Sequence, residues 1–303
     1  MADSIMLWHS SVQVDPANFL LLAKAVALMA IVYSAGWIVT FRLKTDRSRP
    51  GLIIKRCGQA MKNLSQAFVL FLPLLFANCL FMYLATATNR PLMDSDFAAI
   101  DAGLGFDWVS TVRLLNSSPA AASILMYTYH VVGQLMVLIL FFLALSPYSD
   151  DLMEYIAVIA VSAVFTGVLM LAFPTAGAYA FYKPSHEVYS NFTGVGGLLH
   201  LQTLNDLRSG NPFLFQMSKV TGLVSFPSFH CALGVMLVYG FRRIRWLACF
   251  VGMVIAIMIP ATIPEGGHHF SDAIAGILVG FASIAIVRAL SPKRRYAISL
   301  VAN

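Results

Sequence analysis

The chain has 303 residues, 59% of them hydrophobic and only 11% charged, with a formal net charge of +6 and a mean hydropathy of +0.77. A soluble domain of this size carries about 25% charged residues, so the composition excludes an ordinary soluble protein and indicates an integral membrane protein of one domain. The excess positive charge sits in loops that flank apolar runs, which argues against a nucleic-acid partner.

A span needs about 20 mostly apolar residues. Seven runs qualify in chain order: residues 19–41, 64–87, 127–146, 155–173, 224–241, 246–263 and 273–290. The first is long enough to span and no basic residues precede it, so a cleavable signal peptide is not expected. Cys57, Cys79, Cys231 and Cys249 lack metal or redox spacing and read as packing thiols.

Loop charge sets the expected orientation. Arg42, Lys44, Arg47, Arg49, Lys55, Arg56 and Lys62 crowd the loop before the second run. Arg242, Arg243 and Arg245 follow the fifth run, and Lys293, Arg294 and Arg295 lie in the tail. All three groups are expected to be cytoplasmic. The turn at residues 147–152 is then cytoplasmic too, although it carries Asp150 and Asp151, since acidic residues count little in this rule. The N-terminus and loops 88–126, 174–223 and 264–272 are expected outside. In loop 88–126, Asp94, Asp96, Asp101 and Asp107 alternate with apolar residues up to Trp108, and residues 113–122 continue as a second amphipathic piece. One or two helices lying in the membrane interface and an ordinary structured loop both fit. Loop 174–223 is long enough to suggest a functional role and holds Lys183, His186, His200, Arg208 and Lys219.

Two polar islands lie at that outer face. In the second, Glu265 to Asp272, His268 and Asp272 are four residues apart, which places them on one face of a helix. A carboxylate bonded to one imidazole nitrogen fixes the tautomer and leaves the other nitrogen nucleophilic. Gly266 and Gly267 let the backbone turn sharply and lie close to a bound phosphate. In the first island, Ser225 to Ala232, Pro227 suits a first helical turn. Ser228 and His230 then sit where free N–H groups favour an anion. Ser228 can donate to a phosphate oxygen, and His230 can protonate a leaving oxygen. Such a pair of histidines suits phosphoryl transfer through a phosphohistidine. Its transition state needs nearby cations, and Arg208 and Lys219 are the available ones.

At these residues the sequence resembles the type 2 phosphatidic acid phosphatase (PAP2) superfamily. Phe226-Pro227-Ser228-Phe229-His230 is similar to its Pro-Ser-Gly-His motif, and His268 to Asp272 to the end of its Ser-Arg-x5-His-x3-Asp motif. The resemblance covers roughly residues 64–290. It implies an all-α membrane helix bundle, a six-helix core preceded by one extra transmembrane helix. Residues 1–63 would hold that helix and the basic loop, 64–290 the catalytic domain, and 291–303 a basic cytoplasmic tail. It also implies His268 as nucleophile, Asp272 as its orienting group, His230 as acid, and no metal or other cofactor. The family's glycine is Phe229 here, its third-motif Ser-Arg falls on Ala261-Thr262, and its first motif is not intact. Arg208 is the best match for the first-motif arginine, although Ser209 follows it and Leu201 occupies the lysine position. This pattern resembles the branch of inositol phosphorylceramide synthases and their bacterial relatives.

The expected function is hydrolysis of a lipid phosphate or diphosphate at the outer face of a bacterial inner membrane, with the lipid phosphate substrate and membrane lipids as expected partners. A phosphotransferase moving a headgroup between lipids is the alternative. A transporter or metal-binding protein with His230, His268, His269 and Asp272 as ligands is a third reading, from another class. His269 reads either as a substrate or supporting contact or as an interfacial histidine, and His200 is equally open. Glu265 reads as solvated and His130 as a packing histidine within a span. His9 and His186 carry no signal. A reporter fused after Asn303 is expected to read cytoplasmic; a periplasmic reading would overturn the span count or the orientation.

Overall fold

The computed structural model describes residues 10–149 and 151–291, with Asp3, Met6 and Leu7. His9, Asp150 and the tail cations Lys293, Arg294 and Arg295 lie outside the described residues. The fold is an all-α membrane helix bundle. Its elements are β1 (Val12–Val14), α1 (Ala17–Arg42), α2 (Arg49–Ala87), α3 (Asp94–Gly103), α4 (Trp108–Asn116), α5 (Pro119–Leu145), α6 (Asp151–Ala172), α7 (Ala178–Tyr182), α8 (Val195–Leu198), α9 (His200–Arg208), β2 (Phe213–Phe215), α10 (Phe229–Gly240), α11 (Arg245–Ala261) and α12 (Phe270–Leu290).

The seven apolar runs correspond to α1, α2, α5, α6, α10, α11 and α12. Five of these are long and apolar enough to cross a membrane, whereas α10 and α11 have 12 and 17 residues. At 1.5 Å per residue these two span about 18 Å and about 26 Å, short of a hydrocarbon core of about 30 Å. The polar islands make up the difference as irregular backbone. Such backbone is tolerated at depth only inside protein, and Ser225, Ser228, Thr262, Ile263, Glu265, His268 and His269 are all buried.

Two boundaries differ from the sequence reading because caps extend the helices. The Ser48 hydroxyl accepts from the Gly51 N–H at 3.1 Å, with Pro50 in the first turn. The basic stretch from Arg49 onward is therefore helix, and the connecting turn is only residues 43–48. Ser118 caps α5 in the same way, with Pro119 in its first turn, so α5 starts well before residue 127. Each is the expected N-terminal pairing of a hydroxyl cap with an early proline.

One end of the bundle carries the basic turns. Arg243 Nε donates to Asp151 Oδ2 at 2.8 Å, and Arg242 Nη2 donates to Glu154 Oε1 at 2.9 Å. These pairs account for acidic residues beside a basic turn. The opposite end gathers the amino-terminal segment, residues 88–118, 173–228 and the 262–269 turn. There β1 and β2 pair in parallel, Val12 opposite Phe213 and Val14 opposite Phe215. Neither strand is legible from three residues of alternation.

Helix α1 packs mainly along α2. A Cβ on Gly36 would come within 2.5 Å of the Gly58 carbonyl oxygen, so the two backbones touch through small residues. The main core lies among α5, α6, α10, α11 and α12, with Val132, Ile139, Leu143, Tyr155, Met236 and Met258 buried at its centre. Helices α10 and α12 approach most closely at Gly276, where a Cβ would lie 2.1 Å from the Ser228 carbonyl oxygen. That contact holds the two islands together. Gly276→Ala is expected to destabilise the protein by about 1–3 kcal/mol, the usual cost of overpacking, read as a lower thermal midpoint in detergent. An unchanged midpoint would mean that the helices separate without cost.

Candidate active site

The second island is organised by Asp272. Helix α12 begins at Phe270 with His269 as its cap, so Asp272 occupies the third helical position. Its Oδ2 accepts from the His269 N–H at 2.9 Å and from the Ser225 hydroxyl at 3.4 Å. The same oxygen lies 3.5 Å from His268 Nδ1. His268 therefore precedes the helix rather than starting it, yet the four-residue spacing still brings imidazole and carboxylate together. The His268 backbone is held at both polar ends: Trp108 Nε1 donates to its carbonyl at 3.0 Å, and its N–H donates to the Thr262 carbonyl at 3.2 Å.

The first island docks onto this turn. The Ser228 N–H donates to the Asp272 carbonyl at 2.9 Å. Ser228 is the cap of α10, not part of its first turn, and its buried hydroxyl has no hydrogen-bond partner among the described residues. His230, in the first turn, stacks on Tyr129 with ring centroids 4.2 Å apart, its Nδ1 3.4 Å from the Tyr129 hydroxyl. Gly266 separates Tyr129 from His268: a Cβ there would meet His268 Cδ2 at 2.9 Å and Tyr129 Cε2 at 3.2 Å.

Gly267 has φ +67°, and a Cβ on it would lie 2.6 Å from the Cα of Gly197. The close approach expected of this glycine is thus made to the protein's own backbone. The opposing Gly196-Gly197 turn, with Thr193 and Gly194 before it, is a functional neighbour that the sequence reading missed. The run of three glycines at 194, 196 and 197 was its available signal.

Helices α3 and α4 do not turn all their aspartates to solvent. Asp94 and Asp101 are buried. Asp101 accepts from the Phe270 and Ser271 N–H groups at 2.7 and 2.9 Å, and Asp94 from the Ala176 and Gly177 N–H groups at 2.9 and 2.8 Å. His269 is fully buried between them, its Nε2 3.4 Å from Asp94 Oδ1 and its Nδ1 3.8 Å from Asp101 Oδ2. The interfacial reading of His269 is therefore replaced by a buried charge cluster. His200 is also buried, its Nε2 2.9 Å from the Ala176 carbonyl oxygen.

Glu265 is fully buried rather than solvated. It accepts from the Thr193 N–H at 3.0 Å, the Gly194 N–H at 3.3 Å and the Thr193 hydroxyl, and it meets His130 Nε2 at 2.9 Å. His130 is thereby a partnered group and not simple packing. Neither of the two expected cations hydrogen-bonds or ion-pairs with His230, His268 or Asp272 among the described residues. Arg208 Nη2 donates to the Arg90 carbonyl at 2.9 Å. Lys219 is exposed. Nor do the histidines converge as metal ligands, since His269 turns to Asp94 and Asp101 and His230 to Tyr129.

Burial pushes the His268 imidazole down to about 4, so the ring is neutral near pH 7. Burial also opposes charge on His269, but the Asp94 hydrogen bond and the Asp272, Asp94 and Asp101 carboxylates outweigh it and raise its pKa above 6.5. A neutral His268 with Nδ1 facing a carboxylate presents Nε2 as a nucleophile, and His230 is placed to exchange a proton beside it.

A family model described as the PAP2 superfamily matches residues 95–286. Neither a curated protein nor a solved structure shows significant similarity to the chain. The charge cluster makes a prediction of its own. Because the His269 pKa is raised on folding, its stabilising contribution is present below pH 6.5 and fades as pH rises through the folded value. Asp94→Asn should lower the His269 pKa, read by NMR titration of nitrogen-labelled histidine, while His268 stays near 4. An unmoved His269 would deny Asp94 that role.

Proposed function

Since the chain belongs to the PAP2 superfamily, we propose that this multi-pass membrane protein hydrolyses a lipid phosphate or diphosphate through a phosphohistidine on His268, at the outer face of a bacterial cell membrane. The observation that carries this reading is the His268–Asp272 pair, 3.5 Å apart, beside His230 on an adjoining helix start. In the first step His268 Nε2 attacks phosphorus, the bond to the leaving oxygen breaks, and His230 gives that oxygen its proton. Asp272 holds the ring and offsets the positive charge that grows on it. Water then attacks phosphorus, the N–P bond breaks, and the water's proton passes to a base. Ser228, with its unpartnered hydroxyl, and the free N–H groups of the first turn of α10 supply donors for the phosphate oxygens. The outer placement rests on the basic turns at the opposite end of the bundle.

A phosphotransferase of the inositol phosphorylceramide synthase type is the second reading. One observation favours it: Arg208 donates to the Arg90 carbonyl, and neither Arg208 nor Lys219 bonds to the site's histidines among the described residues. A site without those cations suits a phosphodiester donor, which carries less charge than a phosphate monoester.

Detergent-purified protein should release phosphate from labelled phosphatidate or a polyprenyl diphosphate. His268→Ala should abolish both release and phosphoenzyme. His230→Ala should slow poor leaving groups by about 10²–10⁴-fold and good ones less. Label passing from a phospholipid donor to a ceramide or polyol acceptor, with little free phosphate, would establish the transferase instead. Normal turnover by His268→Ala would overturn both.

A further inference from the structure

We propose that His130 and Glu265 form a second imidazole–carboxylate pair, the site that takes up and deprotonates the hydroxyl discharging phospho-His268. The inference rests on the phosphohistidine reading above. His130 Nε2 lies 2.9 Å from Glu265 Oε1. Glu265 is fully buried and takes further hydrogen bonds from Thr193 and Gly194, so its position is fixed. With Nε2–H donated to the carboxylate, the lone pair of His130 Nδ1 is available as a base. This mirrors His268, whose Nδ1 faces the carboxylate and whose Nε2 remains.

The pair is placed for the second half-reaction. Only Gly266 and Gly267 separate Glu265 from His268. His130 follows Tyr129, which stacks on His230, and a Cβ on Gly266 would meet both His268 Cδ2 at 2.9 Å and Tyr129 Cε2 at 3.2 Å, so the two imidazole–carboxylate pairs flank one glycine. The His130 side chain is also 51% exposed, while Glu265 is completely covered. It sits on a flank of α5 with Tyr127 and Gln134, three and four residues away and therefore on one face. Between them Gly133 leaves open space where a side chain would stand. Tyr127, His130 and Gln134 thus form a polar strip on the exposed side of α5, the side from which the proposal has water or a lipid alcohol approach the pair. Anchoring the Thr193–Gly194 turn would need only the carboxylate. The backbone N–H groups of Thr193 and Gly194 are met by Glu265 itself, so that role leaves the half-exposed imidazole unexplained.

In the step proposed, the acceptor oxygen attacks the phosphorus of phospho-His268, the N–P bond breaks, and the acceptor proton moves to His130 Nδ1. Rapid-quench measurements on the full chain with ³²P-phosphatidate test this, with and without dodecanol as a lipid alcohol. His130→Gln should acquire label at the wild-type rate and lose it at least about tenfold more slowly, so that phosphoenzyme accumulates. A half-exposed position tolerates that change. Glu265→Gln, where the protein folds, should show the same imbalance more weakly. Dodecanol that speeds decay in the wild type but not in His130→Gln assigns a lipid alcohol; decay indifferent to dodecanol yet slow in His130→Gln assigns water. Label that forms and decays normally in His130→Gln, or both steps slowed equally, overturns this inference alone. No label on the wild type overturns it together with the phosphohistidine reading.

Discussion

The carboxylate of Asp272 is the constraint on which the site depends. It sits within the first turn of α12, where backbone N–H groups lack helical partners, and it takes one of them from His269. The same oxygen faces His268 and the Ser225 hydroxyl, while the residue's carbonyl receives the Ser228 N–H. One residue thus joins the start of α12, the start of α10 and the candidate nucleophile. An acid so far from water is costly unless paired, and these partners are what make its position tolerable. Its Oδ2 gathers these contacts, whereas its Oδ1 has no hydrogen-bond partner among the described residues.

Three further buried carboxylates extend this pattern. Asp94 and Asp101 reach in from α3, Asp94 satisfying backbone N–H groups of the loop before α7 and Asp101 those of the first turn of α12, and Glu265 does the same for the turn before α8. Loops rich in glycine cannot cover their own polar backbone by secondary structure, and these acids provide acceptors where helical or sheet carbonyls are missing. The close packing of Gly197 on Gly267 follows from the same need, since only bare backbone allows two such turns to touch. The site end is consequently a polar network enclosed by aromatic side chains. Trp108, Tyr129 and Tyr179 are all buried against it.

Much of this was legible in the sequence. The seven apolar runs mark five long helices and two shorter ones because hydropathy integrates over many residues. The four-residue interval from His268 to Asp272 and the six residues of Ser225 to His230 locate both islands. Partners distant in sequence were not legible. Nothing local distinguishes Asp94 and Asp101, which face inward, from Asp96, which does not. Burial of Glu265 depends on Thr193 and Gly194, some seventy residues away, and the pairing of His130 depends on Glu265 in turn. Arg208 and Lys219 make no bond to the histidines among the described residues for the complementary reason: a cation's loop can be read from sequence, but its direction cannot.

The parallel pairing of β1 with β2 bears on how the molecule is made. Asn18 spans the joint, donating to the Phe215 carbonyl and accepting from the Met217 N–H, each at 2.8 Å. These partners lie 197 and 199 positions apart in the chain. At a synthesis rate of about 5–20 residues per second, the amino-terminal strand waits about 10 to 40 seconds for its partner. Four long helices are made in the interval. His230 and Asp272 lie C-terminal to β2, so both polar islands are synthesised after the two strands. The amino-terminal joint is thus available to form before the chain that carries the islands is complete.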